Sequence, residues 1–251
     1  HPELRDETFC QLIRQTTHNR SKTNNSIYVW RLLSVVCAYY EGSKDFLPYL
    51  LKFLGEIAND QRTALQCLQN LAKTSKYGGR KVLLSVEEVT SAAKGMAVKR
   101  QQYGFSGGHT TVMSTKLTTV VEDIVQGLCD ELNVRSAAEQ QEFSLCLHDE
   151  TEKTLLTMPN DAYVLDVCAG MERKQHPYSF ILRRSVWLHP LRVDNLLYID
   201  VLFFQVDAVC LVINGGYCAQ VLSEYRDGNL LVLGRHGQLS ASQVSWDGRE
   251  V

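Results

Sequence analysis

A chain of 251 residues, 45% of them hydrophobic and 22% charged, holds enough apolar side chains for one large core or two smaller ones, and two domains or more is the better reading of that length. Its 26 Lys and Arg against 28 Asp and Glu nearly cancel, which removes the broad positive field that a nucleic-acid or acidic-membrane binder relies on. No apolar run approaches the roughly 20 residues of a membrane-spanning helix, and the opening His1-Pro2-Glu3-Leu4-Arg5-Asp6-Glu7 is too charged for a secretory signal.

From Leu4 to about Gly95 apolar residues recur three and four apart, the spacing of a helical bundle. In the first segment Phe9, Leu12, Ile13 and Thr16 share a face opposite Arg5, Glu7, Gln11 and Arg14. Ile27 to Tyr40 is apolar nearly all round, with one stripe of Trp30, Leu33, Cys37 and Tyr40 and a second of Val29, Leu32 and Val36, so it belongs at the bundle centre. Asp45 is placed to cap a helix that tolerates Pro48 in its first turn and runs to about Ala58. Thr63 to Ser75 offers Leu65, Leu68, Leu71 and Ala72 and stops at Tyr77-Gly78-Gly79. Ser85-Val86-Glu87-Glu88 reads as a capping box that opens a short helix to Lys94.

Beyond Lys99 the texture changes. Gln101 to Phe105 and Thr110 to Met113 flank the turn Ser106-Gly107-Gly108-His109, as in a β-hairpin. Thr119 to Glu122 reads as a second capping box, before a helix with Val121, Ile124, Val125, Leu128 and Leu132 on one stripe. Strand-like runs follow at Phe143 to His148, Thr154 to Leu156, Tyr163 to Asp166 and Ser179 to Arg184, an order found in ubiquitin-like and other small α+β folds. Asp194 to Val206 suits a buried strand or an Asp-capped helix, and periodicity does not decide. Val209 to Ile213, Tyr217 to Leu222 and Leu230 to Leu233 read as three further strands between turn residues.

The eight cysteines, Cys10, Cys37, Cys67, Cys129, Cys146, Cys168, Cys210 and Cys218, stand singly without the paired spacing of a zinc site, and they read as buried thiols in the reducing cytoplasm. Cys146, His148 and Asp149 do not supply a tetrahedral metal set, the glycine pairs read as turns rather than phosphate loops, and no nucleophile elbow occurs, so no catalytic residue, cofactor or metal is expected. Trp30 reads as core and Trp187 as packing between lobes. The usable polar feature is a basic run, Lys73, Lys76, Arg80 and Lys81, with Lys94, Lys99 and Arg100 beyond it. It reads either as solvated helix ends or as a surface for an acidic partner segment or a cytoskeletal filament.

His1 to Glu7, Cys10-Gln11-Leu12-Ile13, Gln15-Thr16-Thr17, Trp30-Arg31-Leu32-Leu33-Ser34 and Phe46-Leu47-Pro48-Tyr49-Leu50 resemble the signature of the myosin tail homology 4 (MyTH4) domain. Residues 99 to 184 resemble the ubiquitin-like first lobe of a FERM module, and Arg184-Ser185-Val186-Trp187 with Asp194 to Val206 resembles the start of its second lobe, which makes that segment a helix. Lys76 to Lys81, Thr118 to Val125 and Arg184 to Trp187 look most like class XV unconventional myosins. Classes seven and ten and the plant calmodulin-binding kinesin share the tandem.

The resemblance implies a multidomain α+β chain. A helical MyTH4 domain at 1–97, short of the helices that usually precede it, is followed by a ubiquitin-like lobe at 98–186, the opening of a second lobe at 187–206 and a β-rich tail at 207–251. It also implies that the helical domain and the lobe share an interface. The implied partners are protein cargo or adaptors, with microtubules or acidic lipid head groups as alternatives; actin and ATP belong to a parent motor head, and nucleic acid is not a partner. The implied location is the cytoskeleton of actin-rich protrusions.

Overall fold

The structure, a computed structural model, describes residues 2–17, 24–95, 98–191, 195–213, 229–233 and 239–243. Contacts divide the chain into two units, residues 1–101, 113–121 and 159–177 in one and residues 102–112, 122–158 and 178–251 in the other.

The first unit opens with the helices α1 (Pro2–Thr17), α2 (Asn24–Tyr39), α3 (Leu47–Ala58), α4 (Arg62–Tyr77) and α5 (Val86–Ala93). Phe9 and Leu12 of α1, Trp30, Leu33 and Cys37 of α2, Leu50 and Leu54 of α3, and Ala64, Cys67 and Leu71 of α4 form one core. Their three- and four-residue spacing is what lets each helix turn a single stripe inward. Trp30 lies flat on Phe53 at 6.0 Å, and each fully buried leucine contributes about 1.5–3 kcal/mol.

Burial departs from the sequence reading in four places. The buried stripe of α4 is Ala64, Cys67, Leu71 and Thr74, so Leu65 and Ala72 face outward. Threonine and asparagine take inward positions there because neighbours satisfy them: Thr74 Oγ1 donates to the Cys37 carbonyl (2.7 Å), and the Asn70 amide donates to the Ser34 carbonyl (2.8 Å) and accepts from Thr118 Oγ1 (2.9 Å). Helix α2 is not buried all round, because α1, α4 and α5 pack against it and leave Tyr28 and Leu32 in water. Tyr40 lies past its end. Asp45 is not the cap of α3, since Phe46 holds that position and its amide donates to the Ser43 hydroxyl at 3.2 Å.

The capping box of α5 forms as the sequence predicts. The Glu88 amide donates to the Ser85 hydroxyl (3.2 Å), and the Ser85 amide donates to the Glu88 carboxylate (2.8 Å).

The remaining elements are β1 (Val98–Phe105), β2 (Thr110–Lys116), α6 (Val121–Glu131), α7 (Ala137–Gln140), β3 (Phe143–Asp149), β4 (Thr154–Thr157), α8 (Val164–Lys174), β5 (Tyr178–Arg184), α9 (Leu196–Ile213), β6 (Asn229–Leu233) and β7 (Leu239–Gln243). Five strands form one mixed sheet in the order β2-β1-β5-β3-β4, with β1 parallel to β5 and β3 antiparallel to both β5 and β4. The hairpin turns through Gly107 and Gly108, whose φ of +90° and +86° suit glycine alone. Alternate residues share a sheet face, and register lines up Phe105, Leu182 and Leu145, and likewise Tyr103, Phe180 and Leu147, as buried cross-strand rows.

Of Tyr163 to Asp166, expected as a strand, only Tyr163 is extended, in an isolated bridge to Val120, and Val164 opens the first turn of α8. Tyr and Val favour strands locally, but Val164, Leu165, Cys168 and Met171 bury one helical stripe, a pattern visible only over a longer window. At the second expected capping box α6 begins at Val121, and the Thr119 hydroxyl accepts the Lys116 amide at 2.8 Å. The segment left open by periodicity is helix α9, opened by the Asn195 side chain, which accepts the Tyr198 amide at 3.3 Å. That helix runs on through Val209 to Ile213, where a strand was expected. Tyr217 to Leu222 lies outside the described residues, and Leu230 to Leu233 falls in β6, which pairs antiparallel with β7. No helix among the described residues is long and apolar enough to cross a membrane.

Candidate partner-binding surface

The basic run divides by what each cation touches. Lys73 and Lys76, on the last turns of α4, lie 5.3 and 4.6 Å from the Tyr77 ring. Lys81, Lys94 and Arg100 have exposed side chains. Lys99 pairs with Glu172 of α8 at 2.6 Å; burial lowers its pKa and the Glu172 hydrogen bond raises it, and the pairing prevails.

Arg80 belongs to the interior rather than to that surface. Its side chain is fully buried, with Nε on Asp166 Oδ1 of α8 (2.8 Å) and Nη1 on Glu88 Oε1 of α5 (2.9 Å), and the guanidinium lies 5.4 Å from the Tyr39 ring centre. Burial alone would lower its pKa, but the bond to Asp166 and the field of Glu88 hold it above the usual arginine value. Burial likewise pushes the Tyr39 hydroxyl up to about 12, and that hydroxyl donates to the Val82 carbonyl at 2.8 Å.

The rest of the loop between α4 and α5 is held just as closely. Tyr163 donates to the Gly78 carbonyl (2.6 Å), the Arg80 amide donates to the Ala38 carbonyl (3.2 Å), and the Lys81 amide donates to Asp166 Oδ2 (3.0 Å). Ala38, Leu117 and Leu165 are buried together beneath it, with Val35, Tyr39 and Leu84 packed around them. Helix α8 and the β2–α6 connection are therefore part of the packing of the helical unit.

Gly79 shows how tight this packing is, because a Cβ there would stand 1.9 Å from the Tyr39 carbonyl oxygen. Gly79→Ala is expected to destabilise the unit by at least about 2 kcal/mol, in the range of a forced backbone shift. A chemical denaturation midpoint unchanged in that variant would contradict the geometry.

The second unit has its own buried cation. Arg184, 1% exposed, ends the row that Phe180 and Leu182 begin and pairs across the sheet with Phe143. Its Nε and Nη2 donate to Glu142 Oε2 (2.8 and 2.5 Å), Nη1 donates to the Tyr198 hydroxyl (2.7 Å), and Nη2 also donates to the His189 carbonyl (2.7 Å). Gln205 of α9 exchanges two bonds with the Arg184 backbone, at 2.9 and 2.6 Å. Burial pushes the Glu142 carboxyl up, but its bonds to His189 and then Arg184 outweigh that and hold it below the ordinary range. The Trp187 ring, half-buried, sits 4.7 Å from the Arg184 guanidinium.

Five cysteines, Cys37, Cys67, Cys129, Cys146 and Cys168, are buried free thiols, whereas Cys10 is exposed because it lies on the outer face of α1. Cys210 and Cys218 lie outside the residues whose side chains are described.

A helical bundle continued by a mixed five-stranded sheet is the architecture of MyTH4-FERM domains. Residues 1–91 match the model of the MyTH4 domain family, and the chain carries a MyTH4 domain there. It is 32% identical over 212 residues to human unconventional myosin-XV, a match that takes in 82% of this chain and 6% of that much longer protein. Among solved structures it is similar to the MyTH4-FERM MF1 domain of Dictyostelium discoideum myosin VII, in a mutant form (TM-score 0.67, 18% identity, 82% of this chain and 44% of that one). It is also similar to the C-terminal MyTH4-FERM domain of human myosin 7b, solved in complex with the harmonin-a PDZ3 domain (TM-score 0.56, 22% identity, 78% of this chain and 41% of that one). These two likenesses are likenesses of fold.

Proposed function

We propose that the chain is a non-catalytic tail module of an unconventional, class XV-like actin-based myosin, tying the motor to protein cargo or adaptors in cytoskeletal protrusions. The observation that carries this is the reach of the similarity to human unconventional myosin-XV. It extends over 212 residues, well past the 91 that match the MyTH4 domain, so the helical domain and the lobe after it are alike together.

The domain division that goes with this reading is a MyTH4 domain at 1–97, a ubiquitin-like first FERM lobe at 98–186, the opening of a second lobe at 187–206 and a β-rich tail at 207–251. Function then resides in surface contacts, and actin and ATP fall to the motor head of the parent chain. The structure of human myosin 7b's C-terminal MyTH4-FERM domain in complex with a PDZ domain supports a protein as the partner class. Burial of Arg80 and pairing of Lys99 thin out the basic run, which favours a protein contact over a basic cleft for lipid head groups or microtubules.

The test is delivery. A motor carrying this tail is expected to bring a fluorescent adaptor to protrusion tips, and a tail-less motor is not. Co-sedimentation with microtubules or phosphoinositide vesicles, without protein binding, would overturn the reading. Since Lys81, Lys94 and Arg100 are exposed, adaptor affinity measured by calorimetry is expected to fall several-fold between physiological salt and 1 M, where the screening length drops from about 8 Å to about 3 Å.

A further inference from the structure

We infer that the strip formed by Lys81, Leu83, Val86, Val89 and Lys94 is a docking surface for an amphipathic helix of a partner protein that carries acidic residues at both ends of its apolar stripe. This rests on the partner-binding reading above and gives it a location and a chemistry.

The strip follows from how the loop before α5 is held. Arg80 is buried and Val82 and Leu84 are half-buried, so the alternate residues Lys81 and Leu83 turn outward. In α5, Ser85 and Glu88 are engaged in the capping box, Ala92 is buried, and Ser85, Glu88 and Ser91 line a small pocket with Leu165, Cys168 and Glu172. That fixes the inner face. Val86, Val89 and Ala93, three and four apart, occupy the other.

Leu83 and Val86 are 82% and 83% exposed and Val89 is 51% exposed. One aliphatic side chain in water is ordinary, but Leu83, Val86 and Val89 are three within one short stretch of chain.

Charge selects the occupant. Lys81 lies before the apolar row and Lys94 caps its end, both exposed, with Glu87 the one exposed acid between them. The eight residues of α5 extend about 12 Å, so the two ammonium groups bracket a stretch that a partner helix of three or four turns would cover, with its carboxylates at the ends. A membrane fits less well, because anionic bilayers recruit clusters of roughly 4–8 basic residues.

The test uses the full chain and two fluorescein-labelled synthetic helices of four turns, each with a leucine stripe, one ending in glutamates and its twin in lysines. The glutamate helix is expected to bind about 10-fold or more tighter at low salt. Leu83→Ser and Val86→Ser, both at exposed positions and checked by circular dichroism, are each expected to weaken it by about 10-fold, the loss of roughly half a buried aliphatic side chain. Lys81→Glu combined with Lys94→Glu is expected to reverse the preference. Equal binding of the twins, indifference to both serine variants, or loss of phosphatidylserine-vesicle binding in V86S with peptide binding intact would each overturn the inference. If adaptor delivery persists in L83S and V86S, the strip is excluded while the tail function stands; loss of delivery in the wild-type chain removes the tail function itself.

Discussion

Arg80→Met is expected to cost about 3–5 kcal/mol of stability, the penalty of leaving buried charge without its counter-ion. Two carboxylates, Asp166 at 16% and Glu88 at 12% side-chain exposure, lose the guanidinium that holds both. Arg80→Lys is expected to fall between wild type and methionine, because one ammonium lacks the planar fork that meets two acids on separate helices. Combining Arg80→Met with Asp166→Leu and Glu88→Met is expected to recover only part of the loss, since the charges leave together but the Lys81 and Ser85 amides lose the carboxylates that accept them. Urea denaturation gives the energies, and hydrogen exchange across residues 78–85 gives the location. Unchanged protection of that loop in Arg80→Met would refute the assignment of Arg80 as its anchor.

Arg184→Met is the second large effect, again about 3–5 kcal/mol, and it adds a pH signature. Glu142 loses two guanidinium bonds, and the Tyr198 hydroxyl and the His189 carbonyl each lose a donor. The folded Glu142 carboxyl sits below its ordinary value. It therefore contributes stability that is complete above the unfolded carboxylate pKa, about 4.3, and is lost as pH falls through the lower folded value. Glu142→Gln is expected to destabilise at neutral pH and to flatten the acid limb of the stability curve. A Glu142→Gln acid limb as steep as wild type would place the source of that limb elsewhere.

Much of the helical unit was legible because it is written in local spacing. The stripes of Phe9 with Leu12 and of Trp30, Leu33 and Cys37, the Ser85–Glu88 capping box and the glycine hairpin turn each involve residues a few positions apart, and each appears in the structure. What escaped is non-local. Arg80 looks in sequence like one more member of a basic run; its partner Asp166 lies 86 positions away, in a segment whose Tyr and Val disguised the first turn of α8 as a strand. Glu142 and Arg184 are 42 positions apart, and nothing around either announces a buried pair. Leu65 and Leu32 were assigned to the core for their hydrophobicity, yet satisfied polar residues, Asn70 and Thr74, took inward places that a hydrophobic pattern reserves for leucine. The basic residues that remain outward were legible as residues but not as a surface, because only the fold separates Lys81 from Arg80.

The clasp between the α4–α5 loop and α8 also sets a timetable for synthesis. The family match ends at residue 91, but Asp166 lies 86 residues beyond Arg80, and it is made about 4–17 s after that arginine at translation rates near 5–20 residues per second. Through that interval the nascent bundle carries an arginine destined for burial and no second carboxylate to receive it, and any factor that attends the emerging chain meets this loop before α8 has locked it.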